Sequence, residues 1–371
     1  MKVCESFELP SGVKLKNRLF FAPISTMEDA PDGKVTKDEL AFFKQRTGDV
    51  GAIIIASAYV NQEGKSYGNN LSVSHDHYID SLKTLSSTLK ENNTKAILQI
   101  YHGGAMAQSQ TDYSKVLCVS DNSTRLSKDE TYQELTESTI NNIISDYEKA
   151  VLRAIKAGFD GVEIHGANSY LPNQFLMPSW NLREDKWGGS RENRLRFLKE
   201  IINKSLKVIE KNAEKPFALG LRFSLEDAFL ESDEKRNQSF QESLLLLDQL
   251  DQMGLDYIHI TSSNVLENKV FEGKSIKLLT LVKAVLKTTP LIGCGNILQP
   301  ESVEDALSLT ELVSACRPFV FNPDWATQIL SNKPIVLPKE TPNWQMRQEL
   351  NIPRNLWKGI ESSPEWYLYK F

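Results

Sequence analysis

Short apolar runs alternate with longer amphipathic stretches along this chain. The runs fall at 19–24, 51–58, 96–101, 161–165, 217–223, 256–260 and 291–294, with an eighth around Leu312 and Val313. Each is almost continuously apolar, as parallel strands buried on both faces are. Between them, apolar positions recur at helical spacing. Ile140, Ile143, Ile144, Tyr147, Val151 and Ala154 make one such stripe, and Leu195, Leu198, Ile202, Leu206 and Ile209 another. Further helices are predicted over 37–46, 81–91, 244–253, 276–286, 302–309 and 324–330. Gly158 and Gly254 stop the helices before the fourth and sixth strands. Eight strand–helix units in order predict an α/β fold, a (β/α)8 TIM barrel rather than an open sheet. A long polar connection spans 103–137, and the charged cluster Asp233-Glu234-Lys235-Arg236 reads as a solvated loop.

The barrel accounts for residues 1–335. Residues 336–371 form a C-terminal extension with Trp344, Trp357, Trp366, Tyr367, Tyr369 and Phe371. That is too much aromatic surface to leave in water. The extension is expected to pack on the barrel or on a neighbouring subunit, in a homodimer or higher oligomer.

Composition narrows the function. The 371 residues carry 43 basic and 48 acidic side chains, a net charge of -5, which gives no electrostatic reason to bind nucleic acid or an anionic membrane. No apolar run approaches the ~20 residues of a membrane span, and the first residues lack a signal-peptide core. A cytoplasmic location is expected. Cys4, Cys118, Cys294 and Cys316 are far apart, with no C-x-x-C, so they read as free thiols rather than a zinc, iron–sulfur or disulfide framework. His75 and His77 bracket Asp76 without a third ligand in view and read as a loop.

Chemistry gathers where strands end. In a barrel the C-terminal ends of the strands share one mouth. They supply Pro23, Ile24 and Ser25, then Ser57, Gln99 and His102, then His165, Asn168 and Tyr170, and finally Arg222, Gly295, Asn296, Cys316 and Arg317. The last two loops of a barrel are its usual phosphate site; a Gly-rich turn offers backbone N–H groups and an Arg pairs the phosphate oxygens. No G-x-G-x-x-G opens a first βα turn. One phosphate pocket suits a mononucleotide, FMN before FAD.

At this point the chain resembles the old yellow enzyme family of FMN-dependent ene-reductases, from about Phe7 to about Leu330. The resemblance rests on Asn17-Arg18-Leu19-Phe20-Phe21-Ala22-Pro23, Leu98-Gln99-Ile100-Tyr101-His102-Gly103-Gly104 and Asp160 to Asn168. It continues through Gln174-Phe175-Leu176, Asn181 to Asp185 and Trp187 to Arg194, and closes on Cys316-Arg317-Pro318-Phe319. It implies that Pro23, Ile24, Ser25 and Ser57 line the flavin ring. It implies that Gln99 bonds the flavin pyrimidine, that Arg222 sits at the N1–C2 carbonyl edge, and that Gly295, Asn296, Cys316 and Arg317 hold the phosphate. His165 and Asn168 would donate to a substrate carbonyl oxygen, and Tyr170 would protonate the α-carbon. NADH or NADPH would be the electron donor in a ping-pong scheme. The pattern departs from the family at Cys316, where Gly is frequent, at Ala105, where Arg is frequent, and at Ser25, where one subgroup carries a redox-tuning Cys. Two alternatives stand beside this reading: a tRNA-dihydrouridine-synthase-like flavoenzyme and a barrel that binds flavin or another ligand without turnover.

Overall fold

The computed structural model describes residues 1–367 apart from 29, 108–114, 124–125, 129, 228–229, 231 and 339–342. Tyr369 and Phe371 of the aromatic tail lie outside the described residues.

Eight parallel strands close into a barrel in sequence order. They are β1 (Leu19–Phe21), β2 (Ala52–Tyr59), β3 (Lys95–Tyr101), β4 (Gly161–Gly166), β5 (Ala218–Ser224), β6 (Tyr257–Thr261), β7 (Leu291–Cys294) and β8 (Leu312–Ala315). The seam closes where Val313, Ser314 and Ala315 pair with Leu19, Phe20 and Phe21. Outside lie α1 (Lys37–Lys44), α2 (Ile79–Leu89), α3 (Glu137–Lys156), α4 (Arg191–Asn212), α5 (Asp233–Leu250), α6 (Leu278–Val285), α7 (Pro300–Leu307) and α8 (Trp325–Leu330). The stripe anticipated on α3 is buried along its whole length. Side-chain oxygens of Thr36, Thr136, Ser190 and Ser232 cap α1, α3, α4 and α5, each accepting the third N–H of its helix.

Alternation along the strands sorts the core. Residues pointing inward from β1, β2, β3, β5, β6, β7 and β8, namely Phe20, Ala52, Ile54, Ile97, Ala218, Tyr257, Ile292 and Leu312, form a closed apolar layer. Leu15, from a small N-terminal antiparallel pair (Phe7–Glu8 with Lys14–Leu15), and Leu9 and Val13, from the turn between its strands, complete it as a floor. The opposite faces of the strands meet the helices in one large outer core. The next inward layers, nearer the mouth, are polar.

Four details differ from the sequence reading. Strand β1 ends at Phe21, because Pro23 has no N–H to give a neighbouring strand. Helix α5 starts at Asp233, so the charged cluster is its first turn and not a loop; Ser232 supplies the cap that starts it. Helix α6 starts at Leu278 rather than near Ile276, because 274–277 pairs with 268–271 in an antiparallel ribbon. Glu272 and Gly273, both with positive φ, make its two-residue turn, a geometry that favours glycine. Finally, His102 does not face the mouth. It is fully buried behind the β2 loop, where Gly64 leaves room for its ring.

In the C-terminal extension, Trp357, Leu356 and Ile360 are buried in the outer core, while Trp344 and Trp366 stay 53% and 58% exposed. The Asn355 amide donates to the Met27 carbonyl, and its backbone N–H to Glu28. Among the described residues no helix is long and apolar enough to cross a membrane.

Candidate active site

The strand ends surround a cavity of about 1060 Å³. One wall is Pro23, Ile24 and Ser25, continued by Ala56 and Ser57. Gln99 and Arg222 rise from below. His165, Asn168 and Tyr170 stand together on the β4 side, and Gly295, Asn296, Cys316 and Arg317 close the far end. The structure therefore brings together all the residues nominated from the sequence except His102.

The β4 side is built by strain and by caps. After β4 the chain turns through two residues in the left-handed region, Asn168 (φ 55°) and Ser169 (φ 59°). Asn tolerates that region better than most residues. The Asn168 N–H donates to Ser224 Oγ at 3.0 Å, and the Ser169 N–H to Asn173 Oδ1 at 3.0 Å. The Asn168 side chain is left exposed at the mouth. Gln174 ties this turn to the β3 loop: its Nε2 donates to the Ser169 and Gly103 carbonyls, and its Oε1 accepts from the Ala105 N–H.

His165 is buried, and burial first, then the Arg222 charge, push its pKa down to about 3. It is therefore a neutral imidazole. Its Nδ1 accepts the Ala167 N–H at 3.4 Å, so the ring proton sits on Nε2. Tyr170 packs edge-on against His165, ring centroids 4.7 Å apart, and against Tyr101 at 4.9 Å. Burial, reinforced by Tyr67, pushes the Tyr170 phenol pKa up, which keeps its proton on.

The far end is a tight turn. Gly295 has φ 146°, and a Cβ there would lie 2.1 Å from the Ser262 carbonyl oxygen, so no side chain fits. Asn296 follows with φ 53°. Arg317 opens the short helix Arg317–Phe321 and donates to the Trp366 carbonyl at 3.0 Å. Glu365, Trp366 and Tyr367 thus line the same end of the cavity. The two cysteines differ sharply. Burial raises the Cys294 thiol, but Arg222, His259 and Ser314 outweigh it and bring the pKa down to about 6. Burial takes Cys316 up to about 12.

Further residues gather at and beneath the cavity: the sequence places His259 at a strand end where it could face the pocket but gives it no role, and does not single out Glu163 or Lys269. Glu163 and His259 are fully buried under the mouth and bonded to each other. Glu163 shares the inward face of β4 with His165, and that alternation is the signal that locates it. Lys269 of the ribbon lines the mouth, paired with Glu226 and Glu267. Much of the stretch after Tyr170 that carries the family resemblance is scaffold. Arg194 donates to the Leu176 carbonyl and pairs with Glu242, and Arg183 clamps the Val119 and Leu135 carbonyls.

This cradle fits a phosphate-bearing ring. A turn with no room for a side chain, next to an arginine at the ends of β7 and β8, is the arrangement with which barrels commonly hold an anion. The neighbouring volume would accept a planar heterocycle with a substrate above it. Residues 6–335 match the family described as NADH:flavin oxidoreductase / NADH oxidase. The chain belongs to that family. The NADH:acrylate oxidoreductase of Vibrio harveyi is 36% identical over 364 residues, covering 95% of this chain but 35% of its own length. The chain thus spans about a third of that relative. The probable NADH-dependent flavin oxidoreductase YqiG of Bacillus subtilis is 32% identical over 377 residues, covering 99% of this chain and 97% of its own. Among solved structures, the old yellow enzyme homologue of Zymomonas mobilis matches in fold with a TM-score of 0.76 at 23% identity, over 91% of this chain and 94% of its own. That family's description names a flavin oxidoreductase that uses NADH, and the cradle described above has the shape and donors for a flavin mononucleotide.

Proposed function

We propose that the protein reduces the C=C bond of α,β-unsaturated carbonyl compounds, or related electrophilic alkenes, with electrons from NADH or NADPH in a ping-pong cycle. One observation carries this reading: His165 and Tyr170, with ring centroids 4.7 Å apart, line the same cavity as Asn168, three residues on from the histidine.

The residues divide the work. Gly295, Asn296 and Arg317 would hold the FMN phosphate, with Cys316 beside them. Pro23, Ile24, Ser25 and Ser57 would flank the ring, and Gln99 and Arg222 would meet its pyrimidine edge. FMN held there would supply two-electron hydride chemistry at the substrate β-carbon, with the electrons coming from the nicotinamide. His165 and Asn168 donate to the substrate carbonyl oxygen, where negative charge grows as the β-carbon accepts the hydride. A neutral imidazole suits this role, because it stabilises the enolate oxygen without giving up its proton. Tyr170, protonated at neutral pH, delivers the α-carbon proton, and solvent restores it.

Acrylate, in the Vibrio relative's name, is itself an electrophilic alkene. The family match leaves no support for the dihydrouridine-synthase alternative. The test is stopped-flow oxidation of the reduced holoenzyme by cyclohexenone. Rapid single-turnover oxidation supports alkene reduction; a rate no faster than buffer points instead to a barrel that binds flavin without this turnover.

A further inference from the structure

Beneath the cavity lies a layer of polar side chains that the reaction above does not use. Glu163 points inward from β4 and His259 from β6, both with no exposure to solvent. A bare carboxylate in a barrel core is costly unless both oxygens are occupied. Here they are. Glu163 Oε1 accepts from Gln99 Nε2 at 2.8 Å, and Oε2 accepts from His259 Nδ1 at 2.8 Å. With its proton on Nδ1, His259 turns Nε2 toward Arg222 Nη1 at 2.5 Å and Ser314 Oγ at 2.7 Å. Arg222 Nη2 in turn reaches Cys294 Sγ at 3.5 Å.

The chain of bonds has a direction. An ionised carboxylate only accepts, so it fixes the Gln99 amide with Nε2 downward and leaves Oε1 to accept from the cavity. His259 holds the Arg222 guanidinium from below, so its remaining donors turn to the cavity or to Cys294. Register makes the arrangement: Gln99 lies beside Glu163, and Arg222 lies between His165 and His259 in the parallel ladder. Burial pushes Glu163 toward its neutral form, but His259, Arg222 and Gln99 outweigh that and hold its carboxyl below the usual range.

We propose that Glu163 and His259 are a positioning pair for the cofactor's pyrimidine edge, aiming Gln99 and Arg222 and setting the net charge beneath the ring. The proposal rests on the FMN site described above. A ring that gains negative charge on reduction feels Arg222 as favourable and Glu163 as unfavourable. Glu163 therefore keeps the flavin from becoming too easily reduced to hand electrons on.

The experiment uses FMN-loaded protein, with the flavin potential measured against a reference dye, FMN dissociation by fluorescence, and Tm by calorimetry. Glu163→Gln removes the negative charge at nearly constant shape. It is expected to shift the reduction equilibrium at least about tenfold toward reduced flavin, about 30 mV for a two-electron couple. His259→Leu breaks the bonds to Glu163, Arg222 and Ser314 and is expected to loosen FMN at least about tenfold. His259→Gln can donate to Glu163 and accept from Arg222, and is expected to restore wild-type affinity. If all three variants change Tm alone, with potential and FMN affinity at wild-type values, the pair is only structural and the proposal is overturned. Should Glu163→Gln fail to fold, the contrast between His259→Leu and His259→Gln decides alone. Wild-type protein that takes up no FMN would overturn the functional reading itself, which is a distinct result.

Discussion

His165 shows how much one side chain depends on its neighbours. The imidazole is neutral because it is buried beside a cation, and it donates from Nε2 because a backbone N–H occupies Nδ1. His165→Ala is expected to slow the alkene half-reaction by about 10²–10³, the usual cost of one oxyanion donor, while flavin reduction by the nicotinamide changes far less. Rapid-reaction traces of the two half-reactions separate these outcomes, and equal losses in both would make His165 structural. Cys294 gives a second residue-scale expectation. Its thiol is expected to titrate near pH 6 in the folded protein, read as thiolate absorbance near 240 nm and abolished by Cys294→Ala. Because this pKa lies below that of the unfolded thiol, the stability it contributes is fully present above the unfolded value and lost as pH falls through about 6. The sequence placed Cys294 by the phosphate turn but could not separate it from Cys316. Arg222 acts on both thiols; the difference comes from His259 and Ser314, which hydrogen-bond the Cys294 thiol but not that of Cys316, and both are distant from Cys294 along the chain.

At the scale of elements, the eight strands and most helices were legible because apolar runs and helical stripes report burial directly. The ribbon over 268–277 was not. Its strands are half exposed and too short for a clear alternation, and only Glu272-Gly273 hints at a turn. The start of α5 was hidden because charged residues at a helix surface look like those in a loop. Two junctions carry predictions. Arg317 begins the helix after β8, and Arg317→Ala is expected to weaken FMN binding by roughly 1.5–3 kcal/mol, measured as flavin loss on dialysis. Arg46 is 2% exposed, and among the described residues it pairs with no carboxylate. Its guanidinium instead donates to the carbonyls of Phe42, Phe319, Val320 and Leu350, joining α1, the short helix that follows β8, and the C-terminal extension. Burial lowers its pKa to about 9, so it remains charged at neutral pH. Arg46→Met leaves buried carbonyls without donors and is expected to cost about 3 kcal/mol, seen as a lowered midpoint in urea.

For the whole molecule, buried neutral histidines set the acid limit. Burial takes His102 and His165 down to about 3, well below an unfolded histidine. Each contributes stability that is complete above the unfolded pKa near 6.5 and falls away as pH drops toward 3. By pH 5 the loss is expected to be about 2 kcal/mol per histidine, at 1.36 kcal/mol per unit, so Tm should fall steeply between pH 6.5 and 5. A Tm that stays flat over that range would mean these rings are protonated in the folded state.

The apolar floor built by Leu9, Val13 and Leu15 has a kinetic consequence. A vessel stoppered at one end has a single doorway. In the proposed reaction, departing product, incoming reductant and the next alkene would all use it. A large excess of either reactant should therefore jam the entrance and depress turnover, giving rate curves that rise and then bend downward.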